Sequence, residues 1–156
     1  MWGWVKHCFS NYAAFGGRAG RPEYWWFYLF TLLCSVVLYI VTTGAPGSRV
    51  MLRGLFWLAT IVPSLAVTSR RLHDTDHTFW WALAPLLVVA PVAGLSLAYP
   101  GGLAARGSHL AGGLGFLMLL AVLGLAVWVL ILLCRAGDAG ANRFGEAAPT
   151  TPGVTG

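Results

Sequence analysis

The sequence predicts an all-α integral membrane protein with four transmembrane helices and a short N-terminal interfacial amphipathic helix. The first reason is composition, because 58% of the 156 residues are hydrophobic and only 10% are charged, whereas ordinary soluble domains contain about 25% charged residues. The second is pattern, because four long uncharged stretches are separated by short loops that carry nearly all the charge. A helix of about 20 apolar residues crosses the hydrocarbon core of a bilayer.

An amphipathic stretch precedes the first uncharged segment. Its apolar side chains recur near helical spacing and are Val5, Cys8, Phe9, Tyr12 and Phe15. Polar side chains such as Lys6 and Asn11 fall mostly elsewhere on the helical wheel. With Trp2 and Trp4 in front, this pattern predicts a helix that lies in the inner membrane interface.

The predicted spans are about 24–43, 54–69, 79–100 and 110–134. The second contains only sixteen uncharged residues, but Arg53 and Arg70 flank it and long basic side chains snorkel to the interface. Four helices use nearly the whole chain, so residues 1–149 are predicted to form a single domain. Residues 150–156 are rich in Thr, Gly and Pro and are predicted to be a disordered tail.

Charge counting predicts the orientation of the spans. The side that carries the N-terminus, the middle loop and the C-terminus has seven basic residues: Lys6, Arg18, Arg21, Arg70, Arg71, Arg135 and Arg143. The opposite side has three: Arg49, Arg53 and Arg106. Basic residues in short loops stay in the cytoplasm, so both termini are predicted to be cytoplasmic. The net charge of +5 is scattered over loops, which argues against nucleic-acid binding.

Three motifs lie on the side assigned to the cytoplasm. They are Phe9-x-x-Tyr12-x-x-Phe15-x-Gly17-Arg18-x-x-Arg21-x-Glu23-Tyr24-Trp25-Trp26, then Arg70-Arg71-Leu72-His73-Asp74-Thr75 ahead of Trp80-Trp81, and finally Gly137-x-x-Gly140-x-Asn142-Arg143-Phe144-Gly145. Together they resemble the DUF805 family of bacterial inner-membrane proteins, over roughly Phe9 to Pro149. The resemblance implies a multi-pass protein of the bacterial cytoplasmic membrane and supplies no reaction. The chain departs from the family pattern at residues 76–79 and 146–148.

A four-helix bundle would gather the polar residues of these motifs into one patch at the inner face. The candidate ligand- or partner-binding residues are Arg18, Arg21, Glu23, Arg70, Arg71, His73, Asp74, Asn142 and Arg143. Charges near hydrocarbon are expensive when alone, so at least one of the arginines at 18, 21, 70 and 71 is expected to pair with Glu23 or Asp74. The turn at residues 142–145 is expected to pack against this group.

Several functions fit such a patch. The leading hypothesis is a non-enzymatic membrane module that binds a partner protein or anionic lipid headgroups, and the structural alternative is that the arginines only hold the bundle together. A small transporter or channel component that acts as an oligomer is a second class, and a lipid-headgroup enzyme with His73 as base is a third. His73 and His77 could bind a metal if their segment were helical. No cofactor or metal motif is found, and the candidate partners are the bilayer with its anionic phospholipid, a membrane protein or a second copy of the chain.

Overall fold

The computed structural model of the protein describes residues 1–43, 48–85, 87, 90 and 109–151. Within these ranges the regular secondary structure is helical. The helices are α1 (Trp2–Ser10), α2 (Arg21–Val41), α3 (Ser48–His73) and α4 (His109–Cys134). Residues 80–85 are also helical. The protein is therefore all-α over the part of the chain that the structure describes.

Three helices in the described ranges are long and apolar enough to cross a membrane. They cover Arg21–Val41, Met51–His73 and Phe116–Cys134, and they correspond to the first, second and fourth predicted spans. The third predicted span, 79–100, falls mostly outside the described residues. Four spans therefore stay a prediction.

Helix α3 is longer than the predicted second span, 54–69. It runs from Ser48 to His73, so Arg53, Arg70 and Arg71 belong to the helix and not to the flanking loops. A basic residue is accommodated inside the helix because its guanidinium reaches the end of α2. The Arg53 Nη2 atom donates to Thr42 Oγ1 at 2.8 Å and to the Tyr39 carbonyl at 3.2 Å.

Helix α1 packs along α2 and ends earlier than the predicted amphipathic stretch. It buries Trp4, Val5 and Cys8, and the Phe9 ring lies against Phe27 at a centroid distance of 5.5 Å. Trp4 is thus buried in the protein. The structure shows a helix in this position; its placement in the membrane interface stays a prediction.

Pro63 lies inside α3 and fixes a contact with the N-terminal segment. Proline has no N–H, so the carbonyl four residues earlier loses its helical donor. That carbonyl belongs to Ala59, and the Tyr12 hydroxyl donates to it at 2.9 Å. The hydrogen bond replaces the missing one and ties the segment after α1 to the middle of α3.

The chain forms two compact units. One comprises Met1–Phe79 together with Arg135–Gly156, and the other comprises Trp80–Cys134. The first unit contains α1, α2, α3 and the C-terminal segment, and every candidate site residue belongs to it. The single-domain prediction for 1–149 stays a prediction, and the predicted disordered tail falls mainly on residues outside the described ranges.

Candidate functional site

The C-terminal end of α3 is covered by two other parts of the chain. The last carbonyls of a helix have no partners within the helix, and here the loop before α2 and the C-terminal segment supply them. The Ala19 N–H donates to the Arg70 carbonyl at 2.9 Å, and the Asp138 N–H donates to the Asp74 carbonyl at 2.9 Å. The Asn142 side chain donates to the His73 carbonyl at 2.9 Å. Three distant segments are thereby joined at one helix end.

Asp74 is the centre of what we call the Asp74 cluster: Arg18, Arg71, Asp74 and the carbonyls of Arg135, Asp138 and Gly140. Arg18 Nη2 lies 2.8 Å from Asp74 Oδ1, and Arg71 Nη1 lies 2.5 Å from Asp74 Oδ2. All three side chains are buried. One carboxylate therefore faces two buried cations.

Backbone carbonyls of the C-terminal segment supply the remaining acceptors of the Asp74 cluster. Arg18 donates to the Gly140 and Asp138 carbonyls at 2.5 Å each, and Arg71 donates to the Arg135 carbonyl. Arginine offers five N–H donors in a planar fork, and each fork here spans a carboxylate and a main-chain oxygen. The cluster can clamp the C-terminal segment onto the end of α3.

Glu23 is the centre of a neighbouring Glu23 cluster: His7, Cys8, Glu23 and Arg70. The Glu23 side chain is 0% exposed and its Oε1 atom lies 2.6 Å from Arg70 Nη1. His7 Nε2 lies 3.9 Å from the same oxygen, and the Cys8 thiol donates to it at 3.7 Å. Burial, assisted by the Glu23 charge, raises the pKa of the Cys8 thiol to about 12, so this thiol is a weak donor and not a nucleophile.

The turn at residues 142–145 packs against the end of α3. Asn142 and Gly145 exchange two backbone hydrogen bonds of 3.0 Å, and Gly145 has a φ of 127°, which favours glycine. The Phe144 ring stacks on His73 with 3.9 Å between centroids and 3° between planes. The C-terminal segment is thus docked through side-chain stacking as well as through the Asp74 cluster.

Gly137 marks the closest approach of the C-terminal segment to Asp74. A Cβ atom built on Gly137 would overlap the Asp74 carboxylate. Gly140 lies in the same segment, and a Cβ there would meet nothing within 4 Å. Position 137 therefore requires a glycine because a side chain has no room there, whereas position 140 has room for one.

The structure divides the nine predicted site residues into groups. Arg18, Arg71 and Asp74 meet at the Asp74 cluster, and Glu23 and Arg70 belong to the Glu23 cluster. Asn142 donates to the His73 carbonyl at the end of α3. The expected pairing of arginines with Glu23 and Asp74 is present.

Three predicted residues have other surroundings. Arg21 donates to the Arg135 carbonyl at 2.8 Å. Arg143 pairs with Asp76 at 2.9 Å on the surface, where their side chains are 56% and 49% exposed. His73 places Nδ1 3.1 Å from the Gly17 carbonyl and Nε2 3.4 Å from Ser69 Oγ, so its ring nitrogens and one ring face contact protein atoms.

Sequence reasoning missed several participants. The helical pattern of α1 puts Cys8 among the apolar side chains and does not single out His7, yet both reach Glu23. Asp138 contributes its carbonyl, which no side-chain motif could reveal. The one available signal was the glycine at 137, because a glycine inside a motif indicates a close backbone approach.

The segment from His73 to His77 is not helical, which the metal alternative required. Helix α3 ends at His73, and the residues up to His77 form a turn in which the His77 N–H donates to the Leu72 carbonyl at 2.9 Å. The helical spacing that a metal would need is absent. Among the described residues no group of three His, Cys, Asp or Glu side chains could hold an ion.

A cavity of about 290 Å³ lies beside the two clusters. Its lining includes polar side chains of α1, the segment between α1 and α2, α3 and the C-terminal segment: His7, Asn11, Arg18, Arg70 and Glu146. A separate groove of about 370 Å³ lies between α2 and α3 and is lined by aromatic, aliphatic and hydroxyl side chains. The first cavity is the one that connects with charged residues of the candidate site.

Comparison with known proteins agrees with the motifs. The family model described as "Protein of unknown function (DUF805)" matches residues 12–146. The chain belongs to the DUF805 family. It is 30% identical to inner membrane protein YhaH of Escherichia coli (strain K12) over 155 residues, covering 96% of this chain and 98% of the relative. It is also 30% identical to inner membrane protein YhaI of the same organism over 143 residues, covering 92% of each. No solved structure matches this DUF805 protein.

Proposed function

We propose that this DUF805 protein is a non-enzymatic module of the inner membrane. Four spans place both termini in the cytoplasm, the Asp74 cluster holds the C-terminal segment at the inner face, and the adjoining surface binds anionic lipid headgroups. The observation that carries the proposal is that the buried arginines have different partners. Arg18 and Arg71 donate to Asp74 and to main-chain carbonyls of the C-terminal segment, whereas Arg70 pairs with Glu23 and lines the cavity.

The docking of the C-terminal segment supports four spans through a parity argument. The segment that begins at Arg135 contacts the end of α3, so both lie on one side of the membrane. The chain between them must therefore cross the bilayer an even number of times. Helix α4 supplies one crossing, and the apolar stretch 79–100 is long enough to supply the other.

Reporter fusions test this topology. We expect fusions at Thr75 and Gly156 to report the cytoplasm, because seven of the ten basic residues lie on that side and basic loops are retained there. Fusions at Gly47 and Gly107 should report the outer side. A periplasmic signal from Gly156 would contradict the span number or the orientation.

Two further features support lipid headgroups as the partner. Trp25 and Trp26 lie in the first turns of α2 and are each 37% exposed, as expected of aromatic anchors at headgroup level. Basic residues close to the membrane gain about 1 kcal/mol each from anionic lipid. If anionic lipid has no effect on the protein, we would expect a partner protein to bind the same surface.

Lipid-dependent stability tests the proposed function. Purified protein in nanodiscs of phosphatidylcholine should gain thermal stability when phosphatidylglycerol is added, and the gain should shrink at high salt because exposed charges are screened. Equal melting temperatures with zwitterionic and anionic lipid would leave only the structural role of the arginines.

The alternative functions receive less support from the geometry. His73 is stacked on Phe144 and hydrogen-bonded through its ring, so it does not face the cavity as a free base. In the groove between α2 and α3, the hydroxyls of Ser35, Thr60 and Thr68 donate to carbonyls of their own helices. These hydroxyls are therefore already hydrogen-bonded within their own helices. The groove also has no charged lining that could form an ion path.

A further inference from the structure

The groove between α2 and α3 is lined by uncharged side chains along much of both helices. On α2 the lining runs from Tyr24 to Ser35, and on α3 it runs from Phe56 to Thr68. At 1.5 Å per residue these stretches are about 17 Å and about 18 Å long, and half of the hydrocarbon core of a bilayer is about 15 Å thick. The groove therefore has the length of the hydrocarbon layer of one leaflet.

The chemistry of the lining suits hydrocarbon. Four of its hydroxyl groups donate to carbonyls of their own helices at 2.7 to 2.9 Å, namely those of Thr31, Ser35, Thr60 and Thr68. These hydroxyls need no polar partner, so an apolar ligand can contact them without leaving a donor unsatisfied. The volume of about 370 Å³ is near the lower end for ligand pockets, which are about 300–1,000 Å³.

Two bulky and exposed side chains belong to the same lining. Tyr28 is 52% exposed and Trp57 is 67% exposed. Transmembrane helices that pack closely together use small residues where they touch, so these rings would hold a further helix away from the floor of the groove. A single flexible hydrocarbon chain can lie between the rings.

An exposed arginine lies just beyond one end of the groove. Arg21 is the first residue of α2 and precedes Tyr24 by one helical turn, which places both on the same face of the helix. Arg21 is exposed, and its Nε donates to the Arg135 carbonyl at 2.8 Å. A guanidinium carries five N–H donors. The proposed topology puts this end of α2 at the inner face, where phospholipid phosphates lie.

We infer that this groove binds one acyl chain of an anionic phospholipid of the inner leaflet, with the lipid phosphate at Arg21. The phosphate accepts charge-assisted hydrogen bonds from the guanidinium, and the chain follows the groove toward Ser35 and Trp57. The groove shares no lining residue with the 290 Å³ cavity. The inference therefore goes beyond the proposed function, and either can fail without the other.

Photolabelling tests where the chain lies. The probes are phosphatidylglycerol and phosphatidylcholine with the same diazirine near the end of one acyl chain, each at a low fraction in phosphatidylcholine nanodiscs that contain the full-length protein. Mass spectrometry should find the label near Ser35 and Trp57, at the far end of the groove from Arg21. We expect phosphatidylglycerol to label these positions about fivefold more than phosphatidylcholine, since one basic residue near the membrane contributes on that scale.

Matched variants separate the two halves of the site. Arg21→Gln should abolish the preference for phosphatidylglycerol, whereas Arg143→Gln should keep it because Arg143 is exposed and pairs with Asp76. Ser64→Phe fills the middle of the groove and should reduce labelling at Ser35 by both probes. Leu58→Phe is its control, because Leu58 is 69% exposed on the same helix and lies outside the groove lining. Melting temperatures of the variants in phosphatidylcholine identify any that fail to fold, and the Arg21 comparison does not depend on Ser64→Phe.

The outcomes distinguish this inference from the proposed function. Equal labelling of the groove by the two probes, or a preference that survives Arg21→Gln, would refute the phosphate position. Absence of label from the groove would refute the inference and indicate that a helix of this chain or of a second copy covers it. If phosphatidylglycerol raises the melting temperature while the groove shows no preference, the lipid-binding module stands and the groove site falls. If the groove prefers phosphatidylglycerol while the melting temperature does not change, the groove site stands and the proposed function falls.

Discussion

Asp74→Asn should cost far more stability than Asp76→Asn, although the two residues are two positions apart and both pair with arginine. Asp74 is 3% exposed and faces Arg18 and Arg71 at 2.8 and 2.5 Å. Asparagine keeps the size of the side chain but removes the charge and places an NH₂ donor against a guanidinium. Breaking a buried ion pair by neutralising one partner costs about 3–5 kcal/mol.

The control substitution acts on an exposed pair. Asp76 and Arg143 lie 2.9 Å apart with side chains about half exposed, and exposed pairs contribute less than about 1 kcal/mol. Asp76 also has a φ of 56°, a conformation in which asparagine is one of the better tolerated residues. Asp76→Asn should therefore be close to neutral.

Two measurements check this prediction. Unfolding of purified protein in mixed micelles should show a loss of about 3 kcal/mol for Asp74→Asn, unless the C-terminal segment detaches first and lets the two guanidinia regain water. Detachment would appear as faster tryptic cleavage after Arg135 and Arg143 in the folded protein. Equal unfolding and equal cleavage for the two variants would refute the Asp74 cluster as the clamp of the C-terminal segment.

Two further predictions concern single side chains near the clusters. Gly137→Ala should release the C-terminal segment and accelerate its tryptic cleavage, because the added Cβ overlaps the Asp74 carboxylate. Gly140→Ala is the control, because its Cβ meets open space and the cleavage rate should not change. Equal effects of the two substitutions would contradict the close approach of Gly137 to Asp74. Cys8 as the sole cysteine should react with a maleimide far more slowly at pH 8 in the folded protein than in the denatured protein, because the folded structure buries it. A pKa of about 12 against an ordinary 9.0 lowers the thiolate fraction at pH 8 about a thousandfold. This protection is lost as the pH rises toward 12. Comparable reaction rates at pH 8 would contradict the burial of the thiol.

The sequence predicted the helical membrane class and the pairing of arginines with acids for physical reasons that are local. Long apolar runs can only be satisfied as helices in lipid, and charges beside them require partners. These two rules lead to the helices at Arg21–Val41 and His109–Cys134 and to the meeting of Arg18 with Asp74.

The same local rules failed where tertiary contacts decide. Helix α3 continues through Arg70 and Arg71 to His73. Glu23 pairs with Arg70, and Asp74 together with carbonyls of the C-terminal segment binds Arg71 and Arg18. Those carbonyls belong to the main chain of residues 135, 138 and 140, so no side-chain pattern identifies them. Trp4 is likewise buried, and a helical wheel of α1 alone cannot distinguish an exposed tryptophan from a packed one.

The structural and the binding hypotheses for the polar patch are not competitors, because they describe different arginines. Arg18 and Arg71 have acceptors from one carboxylate and three carbonyls, so replacing either should change stability before it changes binding. Arg70 pairs with Glu23 and lines the cavity, so its replacement within a neutralised pair should change binding with a smaller effect on stability. A clamp that fixes the C-terminal segment also fixes the walls of that cavity, since Glu146 belongs to this segment. The clamp therefore preorganises the proposed site, and preorganisation reduces the entropy that a bound headgroup would otherwise have to offset.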